Sequence, residues 1–214
     1  MKKLIPTTWL SVFVALALLL AAPAYPQEFR HFTFNFGFGY SPVTGQIAQR
    51  LRNGWNFTGG AGYRFNPHFE TNLEFEWDGF PVQPLVLTEA QVPGANAHMW
   101  SLTLNPKLHL LPSHKVDPYI TGGAGYFRRT IQFTQPTLQS VFIFDPFFGF
   151  LPTVVPADIV LGNVTRGGVG GDLGAGFDFP FFSQSRIFVE ARYEYGSTGN
   201  IPTRLIPVTI GIHW

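Results

Sequence analysis

Apolar and polar side chains alternate along most of this chain, and the alternation is sharpest just after His31. Five aromatic residues, Phe32, Phe34, Phe36, Phe38 and Tyr40, occupy every second position, with Thr, Asn or Gly between them. Successive side chains of a β-strand point to opposite faces, so this spacing gathers all five rings on one face, whereas a helix would scatter them. Five consecutive aromatic residues on one face predict a strand that turns one side towards lipid.

The same period of two recurs seven more times, which predicts eight strands in all. In each segment, large apolar residues share one face, and Gly, Thr, Asn or charged residues share the other. The predicted strands cover 32–40, 55–65, 69–77, 100–110, 120–126, 173–179, 187–195 and 206–214. Each is near the length of a tilted strand in a membrane barrel. The fold class that we predict is therefore all-β, an eight-stranded antiparallel transmembrane β-barrel.

The predicted connections alternate in length, which orients the barrel. Segments 66–68, 111–117 and 180–185 are short, whereas 41–53, 78–96, 128–165 and 196–204 are mostly longer. Outer-membrane barrels have short periplasmic turns and long external loops. The alternative fold is a soluble lipocalin-like cup with its apolar face inside. Two aromatic belts favour the membrane barrel, one at the outer rim with Trp55 and Trp77, the other at the inner rim with Phe177 and Trp214.

Composition supports a membrane barrel and excludes several function classes. Charged residues make up only 13% of the chain, aromatic residues reach 16%, and there are 23 Phe and 23 Gly. No segment after the first 24 residues is long and apolar enough for a membrane helix, and only a closed barrel can otherwise pair every backbone group in lipid. The formal net charge of +1 gives no reason to expect nucleic acid as a partner. The absence of cysteine excludes disulfides and thiolate chemistry.

The N-terminus has the features of a cleavable signal peptide. Lys2 and Lys3 precede an apolar run over 10–22, and small residues then surround Pro23. This run is shorter than the roughly 20 residues that a membrane-spanning helix needs. We therefore predict a signal peptide at 1–24 and an outer-membrane β-barrel domain at 25–214, with the bacterial outer membrane as its location.

A repeated motif resembles a known family. The sequence Thr-Gly-Gly-Ala-Gly-Tyr occurs at 58–63 and again at 121–126, with a weaker echo at 174–177. These strands, the Pro118-Tyr119-Ile120 segment and the aromatic C-terminus resemble the OmpA-type small outer-membrane barrels. The resemblance implies eight strands and no catalytic residue. We expect the peptidoglycan-binding domain of the longer members to be absent.

The last predicted strand resembles the assembly signal of outer-membrane barrels. Apolar residues occupy every second position up to the terminal aromatic residue, namely Ile206, Val208, Ile210, Ile212 and Trp214. The resemblance implies that the barrel-assembly machinery pairs with this strand. Outer-membrane lipid is the other partner that we expect.

Charged residues on the polar faces predict an ionic network in the lumen. Nine of them point inwards in the predicted register: Arg64, Glu70, Glu74, Glu76, Lys107, Asp172, Glu190, Arg192 and Glu194. Buried charges need partners, and the interior of eight strands leaves little free space, so we favour a paired plug. A narrow path for water, ions or small solutes remains the alternative.

Catalytic, metal and cofactor sites find little support in the sequence. The glycine runs lack the third glycine of a dinucleotide fingerprint and the lysine of a phosphate-binding loop, and the histidines lack zinc spacing. A lipid-modifying enzyme would need a His–Ser pair with a carboxylate. His98 and Ser101, with Glu89, form the one combination worth naming, but the first two lie on different faces. We therefore predict no catalytic, cofactor-binding or metal residues, no cofactor and no enzyme, with a lipid-modifying enzyme as the least favoured alternative.

The long segment 128–165 is unusually apolar for a solvated loop. Its centre, 141–151, contains Phe147, Phe148 and Phe150. We expect this segment to fold back against the barrel mouth, and an adhesive or ligand-binding surface for an extracellular partner is our functional hypothesis for it. The function that we predict is thus a structural or surface-interaction role that presents external loops.

Overall fold

The chain forms one antiparallel sheet that closes on itself. The structure, a computed structural model, describes residues 31–182 and 185–214. The strands are β1 Phe32–Ser41, β2 Gly54–Asn66, β3 Phe69–Pro81, β4 Gly94–His109, β5 Asp117–Asp145, β6 Gly149–Phe182, β7 Ser185–Gly196, β8 Thr203–Leu205 and β9 Val208–His213. Each strand from β1 to β7 pairs with the next, and β9 pairs with both β7 and β1. The closed ring confirms the predicted eight-stranded barrel.

Strands β8 and β9 together occupy the eighth position of the ring. They are separated at Ile206 and Pro207, because proline has no N–H to donate to a neighbouring strand. The predicted signal peptide at 1–24 lies outside the described residues.

Two short helices lie in the connections on the long-loop side. A 3-10 helix, Gly45–Gln49, follows β1, and an α-helix, α1 Pro84–Ala90, follows β3. No helix among the described residues is long and apolar enough to cross a membrane. On the opposite side, β2 and β3 are joined through Pro67 and His68 alone. By the usual asymmetry of outer-membrane barrels, the short turns lie in the periplasm and the longer connections outside.

The faces of the strands match the predicted alternation. The aromatic residues of β1 are exposed on the outside, with Phe32 at 70% and Phe38 at 65%, whereas Thr33 and Asn35 are buried inside. Register places Tyr40 beside Trp55, and Trp77 beside Trp100, in the outer aromatic belt. The polar face therefore lines the lumen, which is the reverse of a lipocalin-like cup.

The expectation for segment 128–165 is wrong. This segment does not fold back against the mouth but continues β5 and β6 as a hairpin, with pairing from Arg128 and Gly167 out to Asp145 and Gly149. The turn is closed by Asp145, whose Oδ1 accepts hydrogen bonds from the backbone N–H of Phe147 at 2.8 Å and of Phe148 at 3.0 Å. Gly149 completes it with a φ of +77°, a conformation that glycine adopts without strain.

The outer part of this hairpin is a free two-stranded ribbon. Pairing of β5 with β4 ends at Thr134, and pairing of β6 with β7 ends at Gly170. Residues 135–145 and 149–159, here called the external ribbon, pair only with each other among the described residues. At about 3.3 Å per residue the external ribbon extends about 35 Å. Three prolines lie along its unpaired edges, at Pro136, Pro152 and Pro156, where a missing N–H breaks no ladder.

Candidate functional site

The lumen is filled by four layers of side chains, each contributed by several strands. From the periplasmic side outwards we call them the lower network, the central ion pairs, the acidic layer and the apolar cap. Tyr119 and Phe188 add aromatic bulk inside the barrel, where both are almost fully buried. The lumen is therefore a packed interior in which charged layers lie below an apolar layer.

The lower network joins carboxylates, histidines and basic residues near the periplasmic turns. Its members are Arg64, Glu70, Lys107, His109, Asp117, Asp178, Arg186 and His213. Arg64 Nη2 lies 2.7 Å from Glu70 Oε2, and Lys107 Nζ lies 4.0 Å from Glu70 Oε1. His109 Nδ1 lies 2.7 Å from Asp117 Oδ2, and His213 Nδ1 lies 3.4 Å from Asp178 Oδ2. Each carboxylate here has a basic partner, as buried charges require.

The central ion pairs are organised around Arg192. Its Nη2 lies 2.5 Å from Glu74 Oε2, on the strand across the lumen, and its Nε donates to Glu190 on its own strand. Asp172 approaches the same guanidinium only to 4.0 Å. Asn35 and Asn105 donate further hydrogen bonds to Glu74, at 2.6 and 2.7 Å. The guanidinium of Arg192 thus lies within 4.0 Å of three carboxylates.

The acidic layer lies at the level of the outer aromatic belt. It consists of Glu76 and Asp78 on β3 and Glu194 on β7, all at most 5% exposed. One carboxylate oxygen of each lies within 4.8 Å of those of the other two. None of the three has an ion pair within 4.0 Å among the described side chains, and Ser41 Oγ donates a 2.6 Å hydrogen bond to Asp78. This layer brings three buried carboxyl groups together without a basic partner.

The apolar cap covers the acidic layer at the extracellular mouth. It comprises Val43, Ile47, Leu51, Phe80, Val82, Ala97, Met99, Phe127 and Leu205, all buried. The 3-10 helix supplies Ile47, and single β-bridges join Val43 to Leu205 and Leu51 to Val82. The cap shields the charged layers from external water.

Arg129 fastens the mouth from the side. Its Nη1 donates 2.8 Å to Thr203 Oγ1 and 3.3 Å to the Ile201 carbonyl, and its Nη2 donates 3.3 Å to the Thr198 carbonyl. These bonds connect the base of the β5–β6 hairpin to the connection between β7 and β8. These hydrogen bonds thereby hold the base of the long hairpin against residues 198–203.

The structure places all nine predicted lumen charges on the inner face. Eight are buried, and Arg64, with a side chain 20% exposed, lies at the periplasmic end. The sequence analysis missed five further members of the lower network: His109, Asp117, Asp178, Arg186 and His213. His109, Asp178 and His213 lie at inward positions of the predicted strands, whereas Asp117 was assigned to a turn and Arg186 precedes the predicted strand 187–195. Asp78, Phe80 and Val82 were also missed, because 78–96 was taken as a loop, and the rest of the apolar cap comes from other predicted loops and from strand ends.

The other predicted contact residues lie on the outer surface. Phe147, Phe148 and Phe150 are 89%, 77% and 70% exposed at the tip of the external ribbon. In the last strand, Ile206, Val208, Ile210, Ile212 and Trp214 all face outwards and are 39–46% exposed. The backbone of Trp214 hydrogen-bonds that of Phe34 in both directions, at 2.8 and 3.0 Å.

The residues weighed for lipid chemistry do not come together. His98 lies on the outer face, with its ring stacked 4.8 Å from that of Trp77, whereas Ser101 is buried in the lumen. Glu89 belongs to α1, outside the barrel wall. These three residues therefore do not form the His–Ser–carboxylate arrangement that a lipid-modifying enzyme would need.

This architecture defines a closed, eight-stranded barrel of the bacterial outer membrane. The chain matches the outer membrane protein beta-barrel domain over residues 12–213, and it belongs to that family. Neisserial surface protein A (NspA) has a similar structure, with a TM-score of 0.55 and 12% identity over 85% of this chain and 95% of that one. Ail, the attachment invasion locus protein of Yersinia pestis, is also similar in structure. Its TM-score is 0.50, with 16% identity over 87% of this chain and 100% of Ail.

At these identities the two solved structures show the shared fold alone. No curated protein sequence matches the chain. The family match confirms the resemblance to small outer-membrane barrels and the predicted location.

Proposed function

We propose that this protein is a surface-contact protein, in which a plugged barrel anchors the external ribbon and the ribbon tip contacts a lipid surface outside the cell. The observation that carries the proposal is the exposure of Phe147, Phe148 and Phe150 at the end of the ribbon. Fully burying an apolar side chain of this size contributes roughly 1.5–3 kcal/mol. A tip with three such rings therefore gains considerably from an apolar environment.

The composition of the external ribbon supports a lipid surface as its target. Asp145 and Asp158 are its only charged residues, and it contains neither lysine nor arginine. A ribbon for an acidic polymer would carry basic residues instead. Phe142, Phe144 and Val154 extend the apolar surface from the tip along the shaft, each at least 60% exposed.

The plugged lumen supports an anchoring role over conduction. The apolar cap closes the outer mouth, and the central ion pairs cross the interior beneath it. A channel for small solutes remains the second function class, and single-channel recording separates it from the first. A lipid-modifying enzyme is the third, and a lipid turnover assay with His98→Ala tests it.

The decisive experiment measures vesicle capture by bacteria that display the protein. Fluorescent phosphatidylcholine vesicles are mixed with cells that express the native chain or the variant Phe147→Ser/Phe148→Ser/Phe150→Ser. We expect the native chain to retain vesicles and the tip variant to lose most of that binding. The matched control is Phe181→Ser/Phe182→Ser, which removes exposed rings at the periplasmic end of β6.

Surface amount must be equal in the compared strains, which labelling of the external loops measures. Equal vesicle capture by the native chain and the tip variant would contradict the proposal. Absence of vesicle capture by the native chain would also contradict the proposal, and contact of the tip with the protein's own membrane would then be tested next.

A further inference from the structure

The lumen holds many more buried acids than buried bases. Among the described residues, nine carboxylates are buried: Glu70, Glu74, Glu76, Asp78, Asp117, Asp172, Asp178, Glu190 and Glu194. Four lysine and arginine side chains are buried with them, Lys107, Arg129, Arg186 and Arg192, and two buried histidines, His109 and His213, pair with acids of the lower network. Burying an unpaired charge is costly, so the surplus has to be neutralised by something other than these side chains.

The surplus is concentrated in the acidic layer. The lower network contains Lys107 and Arg186, and Arg129 is engaged with Thr203 and two carbonyls at the mouth. Only Arg192 lies near the acidic layer, and it is already held by Glu74 and Glu190. Glu76, Asp78 and Glu194 are thus left without a close cation.

Carboxylate oxygen atoms without hydrogen-bond partners lie close together in the acidic layer. Glu76 Oε1, Asp78 Oδ2 and Glu194 Oε2 are buried and accept no hydrogen bond. A fourth carboxylate lies next to this layer. Asp172 stands directly opposite Glu194 in the β6–β7 register and its side chain is 1% exposed; neither of its oxygens has a hydrogen-bond partner, and its ion pair is the 4.0 Å approach to Arg192. Such a set of unsatisfied acceptors needs a positively charged ligand.

We propose that Glu76, Asp78 and Glu194 bind one Ca²⁺ ion inside the barrel, with Asp172 beside it. Ca²⁺ takes oxygen ligands at 2.3–2.6 Å, so two of its ligands lie up to about 5 Å apart. The 4.8 Å limit that encloses the three oxygens fits this range. Mg²⁺ gives up its water ligands reluctantly, so a buried set of three carboxylates suits it less well. No histidine belongs to the acidic layer, which favours a hard cation over zinc or copper.

The apolar cap gives the ion a sheltered position. Phe80 follows Asp78 by two residues on the same face, and Met99 stands opposite Asp78 in the β3–β4 register. Because the cap excludes water, attraction between the ion and the carboxylates is weakly screened. The bound ion would then join β3 to β7 across the lumen and stabilise the closed barrel.

The test is calcium binding by the folded chain, residues 25–214, in phosphatidylcholine nanodiscs. After dialysis against EDTA, CaCl₂ is titrated in a calorimeter, and thermal unfolding is followed by tryptophan fluorescence with CaCl₂ or EDTA. We expect one ion per chain and a higher apparent Tm in calcium, because a ligand of the native state stabilises it. MgCl₂ should bind more weakly.

Two variants locate the site. Glu194→Gln should weaken calcium binding by at least about tenfold, since the charge of the ligands sets affinity in such sites. It removes a repulsive charge, so this variant should fold, and its Tm in EDTA should equal or exceed that of the native chain. Asp117→Asn, the matched control, removes a buried carboxylate of the lower network and should leave calcium binding unchanged.

The absence of calcium binding by the native chain would overturn the proposal and leave protons as the neutralising ions. Binding that is lost in Asp117→Asn and retained in Glu194→Gln would also overturn it, by moving the site to the lower network.

Discussion

Gly196 lies directly against Phe127 at the extracellular mouth. A Cβ atom added to this glycine would lie 2.9 Å from the Cβ and 3.1 Å from the Cγ of Phe127, closer than such atoms normally approach. Phe127 is completely buried in the apolar cap, so its ring has no room to withdraw. The absence of a side chain at position 196 is what allows β7 to pass beneath this ring.

Substituting Gly196 by alanine should therefore destabilise the barrel. Overpacking of this kind costs typically about 1–3 kcal/mol, and we expect a loss in that range in the free energy of unfolding, measured by denaturant titration in detergent micelles. Gly162→Ala is the matched control, because a Cβ there meets nothing within 4 Å. Equal stability of the two variants would show that Phe127 moves aside.

Removing Arg192 should lower the free energy of unfolding more than Gly196→Ala does, because three carboxylates share its guanidinium. Arg192→Met leaves Glu74 buried without its ion-pair partner and leaves Glu190 with Lys107 at 3.8 Å alone, and loss of one partner of a buried ion pair costs about 3–5 kcal/mol. We expect a fall of that size in the free energy of unfolding. Arg166→Met, at an exposed position of β6, should change it by less than about 0.5 kcal/mol. A similarly small effect for both variants would mean that the central ion pairs contribute little.

The native barrel should be electrically silent in a planar bilayer. The apolar cap and the central ion pairs both lie across the path that an ion would take. We expect single-channel recordings of the refolded chain, residues 25–214, to show no discrete openings, with insertion verified by protection from protease. Discrete openings that change in size in Glu74→Gln or Glu190→Gln would instead favour the channel and make these residues its lining.

Loss of the aromatic ring of Trp214 should impair assembly in the cell more than stability. Trp214 is 45% exposed on the outer face beside Phe34 and follows β9, and we infer that the barrel-assembly machinery recognises this strand. Trp214→Ser should lower the amount of barrel in the outer membrane, measured by quantitative blotting of membrane fractions. Trp55→Ser, which removes an exposed ring from the outer belt, should lower it much less. Equal reductions would assign the effect to lost lipid contact.

The barrel was predictable from sequence because its two faces meet different surroundings. Lipid outside and polar side chains inside impose a period of two, as at Phe32–Ser41, and closure of the sheet follows from it. The external ribbon has water on both faces, so nothing imposes that period on residues 135–159. Its turn carried a local signal that was overlooked, because Asp145 followed by Pro146 and later by Gly149 is typical of a tight connection.

The partners inside the lumen were less predictable than the face on which they lie. Alternation indicates that Glu74 and Arg192 point inwards, but 118 positions separate them in the chain, and only the register of all intervening strands brings them together. The apolar cap was hidden for another reason. Its residues come from loop and strand ends, where Ile47 and Leu205 follow no common periodicity.

The pairing of Glu74 with Arg192 also bears on how the barrel forms. These residues belong to β3 and β7, which are not neighbours in the sheet, so their contact exists only once the ring has closed. In a partly formed, open sheet each charge keeps only the partners on its own or a neighbouring strand, Glu190 for Arg192 and Asn105 for Glu74, and lacks the opposite charge across the lumen. Open intermediates are thereby disfavoured relative to the complete ring, which favours cooperative closure of the sheet.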